Sequence, residues 1–553
     1  MSAFVYANGQ YHSLSGNKIV KDAALLEMKA KDKIVLNGVA YNLGIGSAIP
    51  GVPVVPDAPV LDDMVHNNGT EPATGTKWYI TPDGAGSMDG TSWANAASAS
   101  MIHVILLSAA FGDSIYFAEG DYTTDRTLTL PSGVSLFGGF PSENPSWETR
   151  DAFAHQTVWS ASHSGAWLAS TSNVTGQLVD GFTLMNYAGT TEDGQNVTFR
   201  NMTLSGGSFS TAGELENSYV TGVTLNAESV TSCKVVNSPA AISNAEGTDF
   251  YYASVAVSLN AEYCNVYGTE ESKVNCLFSG TATNCTAVNC TAETYIFYSS
   301  TTNCTAVNCT AGIHIFYGIA TNCTAVNCTA KSYIFNNSST NCTAVNCTCT
   351  STNTNVFSGI FNNSSTNCTA VNCTAKSYIF YSVATNCIAV NCTAENGSIF
   401  IDNLSRIITN CTAVNCICDD YIFSNSPDIR LKNCLSWNNS GTEFYSYTNL
   451  ATCAGSVYNA SLTLTLGTDN TIARFTNTGF APAKGVQDVG ACPSPIDDPD
   501  GYAEWLSAFG DWHPATDSFL LGAGTVVYSV TTDADGVTRP DPPSIGAFEA
   551  KPA

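Results

Sequence analysis

Charge is scarce in this chain. Only 12% of its 553 residues are Asp, Glu, Lys or Arg, about half the usual share. Cations are scarcest: 20 Lys and Arg stand against 46 Asp and Glu, a formal net charge of −26. This argues against a nucleic-acid partner, whose phosphates would be repelled, and against charge-driven adhesion to an anionic membrane. Long apolar runs are also missing. The most apolar stretch, MIHVILLSAAF (101–111), is too short to span a bilayer, so membrane insertion is not expected. The opening MSAFVYANGQYHSLSG lacks the basic and continuous apolar parts of a secretory signal. Synthesis in a cytosol is therefore expected, with exit by lysis, by a dedicated machine or as part of a particle. With so few charges, the surface has to be built from Thr, Ser, Asn and Gly.

Four zones are legible. Residues 1–49 form a small α+β module of local net positive charge, with Lys18, Lys21, Lys29, Lys31 and Lys33 against Asp22, Glu27 and Asp32. Ile19, Ala23, Leu26 and Ala30 have helical spacing over 18–31, with Asn17 as N-cap, and Asn37-Gly38 predicts a hairpin turn. Residues 50–76 are Pro-rich and polar and read as an extended linker. From 77 to 480 the pattern is of many short strands, with one helix expected near 97–110 and an N-terminal cap over 77–150. Residues 481–553, rich in Pro, Asp and Gly, read as terminal coils and a cap.

Within 281–440 one phrase dominates. NCTAVNC or NCIAVNC occurs seven times, its first cysteines spaced by 19, 19, 19, 26, 19 and 24 residues. Such a period is too short for a pair of helices, and a leucine-rich repeat would need leucines the phrase lacks. It fits one coil of a β-solenoid, whose turns stack about 4.8 Å apart with like residues above one another. Cys285, Cys304, Cys323, Cys342, Cys368, Cys387 and Cys411 are then expected as an inward ladder with the alanines. Asn289, Asn308, Asn327, Asn346, Asn372, Asn391 and Asn415 are expected at a bend, where Asn tolerates left-handed geometry and its amides can ladder. Thr286, Thr305, Thr324 and Thr343 are expected to face outward. After each copy comes a phrase such as YIFY; one residue pair should fill the core and the other form an external aromatic stripe. Tyr295, Phe297, Tyr333, Tyr378 and Tyr421 are the candidate ligand-binding residues.

Other chemistry is thinly represented. Cys-x4-Cys spacing without nearby His is a poor zinc pattern, and no metal is assigned. Disulfides between coils stay open as an alternative, since stacked cysteines lie within bridging range, although parallel side chains and a cytosolic origin oppose them. The regular shaft has only ten charged residues over 281–430, leaving little for acid–base catalysis. Candidate acids lie elsewhere: Glu192, Asp193, Glu214, Glu216, Glu246, Asp249 and Glu262 upstream, and Asp511 and Asp517 downstream. Ca²⁺ is a weak candidate at Asp497, Asp498 and Asp500, or at Asp533 and Asp535, where the spacing misses the full EF-hand loop. His314 and His513 read as structural.

WYITPDGAGSMDGTSWANA, GDSIYFAEGDYT and SGVSLFGGFP (78–141), together with DWHPATDSFLLGAGT and DADGVTRPDPPSIGAFEA (511–550), resemble the entry and exit coils of right-handed parallel β-helix proteins of the pectate-lyase-like superfamily. The resemblance implies an all-β, single-stranded right-handed parallel β-helix. That superfamily holds polysaccharide lyases and hydrolases, adhesins and phage tailspikes, so fold does not settle function. The arginine and Asp-Asp elements of its pectate lyases and polygalacturonases are absent. The layout, a small N-terminal module before a long β-helix, resembles phage tail fibres and tailspikes. It implies a virion protein made in the host cytoplasm, a homotrimer by analogy, docked to tail proteins through 1–49 and binding bacterial surface polysaccharide, with contacts from the stripe and from insertions near 349–361 and 396–408. A polysaccharide depolymerase using carboxylates in 150–280, and a bacterial surface or secreted adhesin, are the alternatives.

Overall fold

The computed structural model describes residues 58–444 and 490–550 apart from short loops, and the backbones of short strands within 4–42 and 456–477. The chain divides into two compact units, 57–281 and 282–553, with 1–56 grouped with the second. Both are built from parallel in-register strands wound as a β-solenoid.

In the unit 57–281, the first coils stack Lys77–Thr81 on Ser114–Ala118 and that on Ser135–Phe140, all parallel. The helix expected near 97–110 is present as Ile102–Ser108, with Ile102, Ile105 and Leu106 buried. Farther along, the strands Tyr219–Thr221, Lys234–Val236, Asp249–Tyr251 and Asn265–Tyr267 begin 15, 15 and 16 residues apart. These coils are shorter than the repeat and share no phrase with it, yet they obey the same rule. A small side chain (Ser218, Cys233, Thr248, Cys264) follows a left-handed residue: Asn217 at φ 44°, Ser232 at 55°, Gly247 at 55° and Tyr263 at 53°. The small residues also link coils, as in Ser218 N–H donating to Cys233 Sγ (3.4 Å) and Cys233 N–H to Thr248 Oγ1 (3.2 Å).

The Pro-rich segment is laid along this unit from residue 58 to 76. Tyr219 Oη donates to Pro59 O (3.3 Å) and Asn217 Nδ2 to Val65 O (2.9 Å). Asn67 and Asn201 clasp each other, N–H to Oδ1 at 3.0 Å and Nδ2 to carbonyl at 2.8 Å. Beneath lies a buried charge cluster. Asp180, with no exposed side chain, takes Arg150 on one oxygen (2.6 Å) and Arg200 on the other (2.5 Å). The Arg150 guanidinium also lies over Phe137, Phe140 and Trp147 at 5.4, 5.7 and 5.2 Å.

In the unit 282–553 the repeat is one coil. Thr286–Val288 pairs with Thr305–Val307, identical residue on identical residue, and the ladder continues to Cys434–Trp437. The seven first cysteines and their alanines are buried, at 0–1% exposure for the cysteines. Each thiol is hydrogen-bonded: Cys304 Sγ lies 3.4 Å from Thr302 O and 3.3 Å from Ala282 O of the coil before. At Cys434, burial pushes the thiol pKa up to about 12. None of the described cysteines is joined in a disulfide, and among them only Cys276 and Cys492 are not fully buried. Alkylation of the native protein should therefore label Cys276 and Cys492 and spare the described ladder, with the ladder reacting only after denaturation. Peptide mapping distinguishes this from disulfide-linked coils, which would stay unlabelled in denaturant without reductant.

Asn289 and its six counterparts have φ between 50° and 56°. Their amides ladder, Nδ2 to the Oδ1 one coil back, at 3.1, 3.2, 2.9, 2.8 and 2.8 Å from Asn308 to Asn391. The first Asn of each phrase makes a second such ladder, from Asn303 on Asn284 (3.0 Å) to Asn433 on Asn410 (3.0 Å). Each phrase thus turns two corners with the residue type that accepts left-handed backbone at least cost. Inside, Phe297, Phe316, Phe335, Phe361, Phe380, Phe400 and Phe423 stack with centroids 4.7–4.9 Å apart and planes within 5°.

The predicted outward threonine array is corrected. Thr286, Thr305 and Thr324 are buried, at 4, 8 and 2% exposure. Over the later coils the cover is the C-terminal segment: Asn386 Nδ2 donates to Thr532 O (2.8 Å), Ala547 N–H to Thr412 Oγ1 (2.9 Å) and Gly546 N–H to Asn433 O (2.9 Å). This segment contains a helix, Pro499–Ser507, capped by Asp498 accepting from Gly501 N–H (2.9 Å). Asp at the cap with Pro at the first position is a start signal legible in the sequence.

At the N-terminus the helix expected over 18–31 is also corrected. Residues 18–31 form no helix among those described; Lys18–Lys21 and Ala24–Glu27 are antiparallel strands. Branched Ile19 and Val20 favour a strand, and the helical stripe had only two large apolar members. Lys33–Leu36 and Val39–Asn42 pair antiparallel, Leu36 opposite Val39, as expected for a hairpin across Asn37-Gly38.

Candidate functional site

In the coils of Phe297, Phe316, Phe335 and Phe361 the strand ends at the phenylalanine. Ile296 and Phe297 are both fully buried, which corrects Phe297 as a ligand-binding residue: it is a rung of the phenylalanine ladder. The residues on either side come out instead. Tyr298, one past the strand end, is 43% exposed. Tyr295 is half-buried and its ring stacks on His314 (5.7 Å), which stacks on Tyr333 (5.5 Å). Beside that column, Tyr298 and Tyr317 are parallel at 5.0 Å and 1°. Tyr295 bridges the columns, 5.0 Å from both Tyr298 and Tyr317. Burial lowers the His314 pKa to about 4, so it is uncharged at neutral pH.

Farther along, the Tyr298 column changes character. Asn336 and Asn362 follow Tyr317, with Asn362 Nδ2 donating to Asn336 Oδ1 (3.0 Å), and Asn363 Nδ2 approaches Asn337 Oδ1 (3.4 Å) alongside. Among the described residues Asn336 Nδ2 and Asn362 Oδ1 have no hydrogen-bond partner. In the other column Gly359 stands where a ring would be, between Tyr333 and Tyr378. Tyr378 and Tyr381 then restore the aromatic surface, 5.4 Å apart. Tyr333 is 9% exposed, and Tyr378 and Tyr421 are half-buried. The result is a face of two aromatic patches with asparagine amides between them. Rings stack on the apolar faces of a sugar, and amides serve its hydroxyls as donor and acceptor. Tyr298, Tyr317, Tyr381 and the four asparagines were missed because strict alternation groups Tyr298 with Ile296. The doublets Asn336-Asn337 and Asn362-Asn363 were the available signal. Of the two insertions, 352–357 and 403–406 lie outside the described residues.

The candidate acids do not converge. Glu214 accepts from Thr231 Oγ1 (2.9 Å). Burial raises the Glu216 carboxyl, opposed by Arg200. Glu246 and Glu262 are exposed neighbours in register. Asp249 pairs with Lys234 and accepts from Asn265 Nδ2 (2.7 Å). Glu192, Asp193 and Asp497 lie outside the described residues. Downstream, His513 lies between Asp511 (2.5 Å) and Asp535 (2.8 Å). Burial alone would lower its pKa; hydrogen bonds and charge from the two carboxylates push it up to about 9. Asp533 accepts three backbone N–H groups, from Asp535 (3.0 Å), Val537 (2.8 Å) and Glu549 (2.9 Å). Asp498 is a helix cap, and Asp500 and Asp517 are exposed. Among the described residues no group of three or more His, Cys, Asp and Glu side chains is placed to hold a metal.

The fold and this face define a parallel β-solenoid with an exposed aromatic–amide surface. No family model and no curated protein matches the chain. Similar solved structures include tailspike protein 3 of bacteriophage CBA120 (9% identity, 69% of this chain and 67% of that one, TM-score 0.25). They also include the N-terminal fragment of gene product 12 of bacteriophage Phi29 (13%, 64% and 69%, TM-score 0.23) and pectate lyase Pel9A (13%, 89% and 99%, TM-score 0.14).

Proposed function

We propose that this protein is a glycan-binding attachment protein of the tail-fibre or tailspike type, whose repeat coils present the aromatic–amide face to polysaccharide on a bacterial surface. The observation that carries the reading is the face itself: tyrosines in register, with asparagine amides between them. In this reading a homotrimer docks to other tail proteins through the N-terminal strands, and no cofactor takes part. The scattered carboxylates favour binding over turnover.

Removing the parallel pair of rings tests it. The double variant Tyr298→Ala/Tyr317→Ala should bind host surface polysaccharide about tenfold more weakly or worse, each lost stacking contact being worth about 0.5–1.5 kcal/mol. Its unfolding midpoint should stay close to that of the parent. Unchanged affinity would remove the face from the account. Release of reducing ends or unsaturated sugars during the same incubation would replace binding by depolymerisation.

A further inference from the structure

We infer that the glycan held by this face is electrically neutral, an inference that rests on the glycan-binding reading above. The surface that meets the ligand is made of tyrosine rings and asparagine amides, and none of these carries charge at neutral pH. Its buried member His314 is neutral as well. Over 282–420 the charged residues of these coils are Glu293, Lys331, Lys376, Glu395, Asp402, Arg406, Asp419 and Asp420, three cations against five carboxylates. Of the two lysines, Lys376 is paired with Glu395. No arginine occurs between residues 282 and 405, so the planar fork that best grips a carboxylate or phosphate is absent from the coils of Tyr298 to Tyr381. The chain as a whole, at −26, repels an approaching polyanion. A uronic-acid, sialic-acid or phosphate-bearing polysaccharide would thus meet more carboxylates than cations. A neutral one is matched by ring faces and amides.

Length narrows the ligand further. Tyr298, Tyr317, Asn336, Asn362 and Tyr381 follow the phenylalanines of five successive coils. Four inter-strand spacings make a surface about 19 Å long. That suits several consecutive sugars of a chain, not a terminal monosaccharide.

The test is an array of bacterial polysaccharides, half neutral and half bearing uronic acid, sialic acid or phosphate, probed with the full chain at about 50 and about 500 mM NaCl. The expected result is binding to neutral members, with affinity changing less than about twofold between the two salt conditions, and loss of that binding in the Tyr298→Ala/Tyr317→Ala variant. Binding confined to acidic members and falling about tenfold or more with salt would overturn the inference while leaving a glycan-binding protein. Binding to none of the array would overturn the inference and the glycan-binding reading together.

Discussion

Replacing Asp180 with asparagine should destabilise the unit 57–281 by about 3–5 kcal/mol, the usual cost of leaving a buried charge without its partner. Asp180 is completely buried and holds two guanidiniums, Arg150 through one oxygen and Arg200 through the other. Asn201 Nδ2 adds a third bond at 2.7 Å. An asparagine has nearly the same shape, but its Nδ2 would face one guanidinium donor to donor. Arg150 has no exposed side chain, so it cannot turn to water; burial already depresses its pKa, and the Asp180 carboxylate is the main opposing influence. The damage should spread to the segment 58–76, because Arg150 also contacts Asn68 (3.2 Å) and Asn201 clasps Asn67. Proteolysis within 58–76 should accelerate with the drop in unfolding midpoint. The control is Asp125→Asn, which breaks an exposed pair with Arg126 and should leave the midpoint where it was. Equal effects of the two variants would remove the buried cluster from the account.

Phe335→Ala should cost the unit 282–553 about 3–5 kcal/mol. Phe335 is fully buried, and its ring lies 4.8 Å from Phe316 on one side and 4.8 Å from Phe361 on the other. Because every coil repeats the same packing, neighbouring rings cannot collapse into the gap without breaking register with their own strands. Phe335→Leu, which keeps most of the volume, should cost clearly less. Urea unfolding followed by fluorescence gives both numbers. An alanine variant as stable as the leucine one would mean that the coils relax around the gap, and that the ladder is a consequence of stacking and not a support for it.

Much of this architecture could be read from the chain, for one physical reason. In a parallel stack each residue sits on its counterpart, so the demands on one coil become a repeated phrase. Cys285 and Ala287 could be placed inside because a short coil has room for little else, and Asn289 at a corner because few residues accept that backbone. The same logic loses force where coils keep a chemical class but vary its members. Ser218, Cys233, Thr248 and Cys264 do one job in four coils and form no visible phrase. Long-range cover escapes such reasoning altogether. Nothing local to Thr286 or Thr305 says that they are buried, and nothing local to residues 58–76 says that they lie against the coils 150–219. The candidate face was half legible. Tyr295 and Tyr333 follow from the phrase, whereas Ile296 and Phe297 are both buried within one strand and Tyr298 is exposed one residue past its end. Simple alternation does not give two adjacent buried residues.

The central claim is that the tyrosine–asparagine face of the repeats is where the glycan binds. Oxidative footprinting of the full chain with and without host surface polysaccharide tests it most directly, because tyrosines report their own accessibility. The account predicts that Tyr298, Tyr317 and Tyr381 become protected, while exposed Tyr252 and Tyr263 of the other unit do not change. Protection of Tyr252 and Tyr263 with Tyr298 and Tyr317 unaffected would contradict it and move the binding site to the unit 57–281.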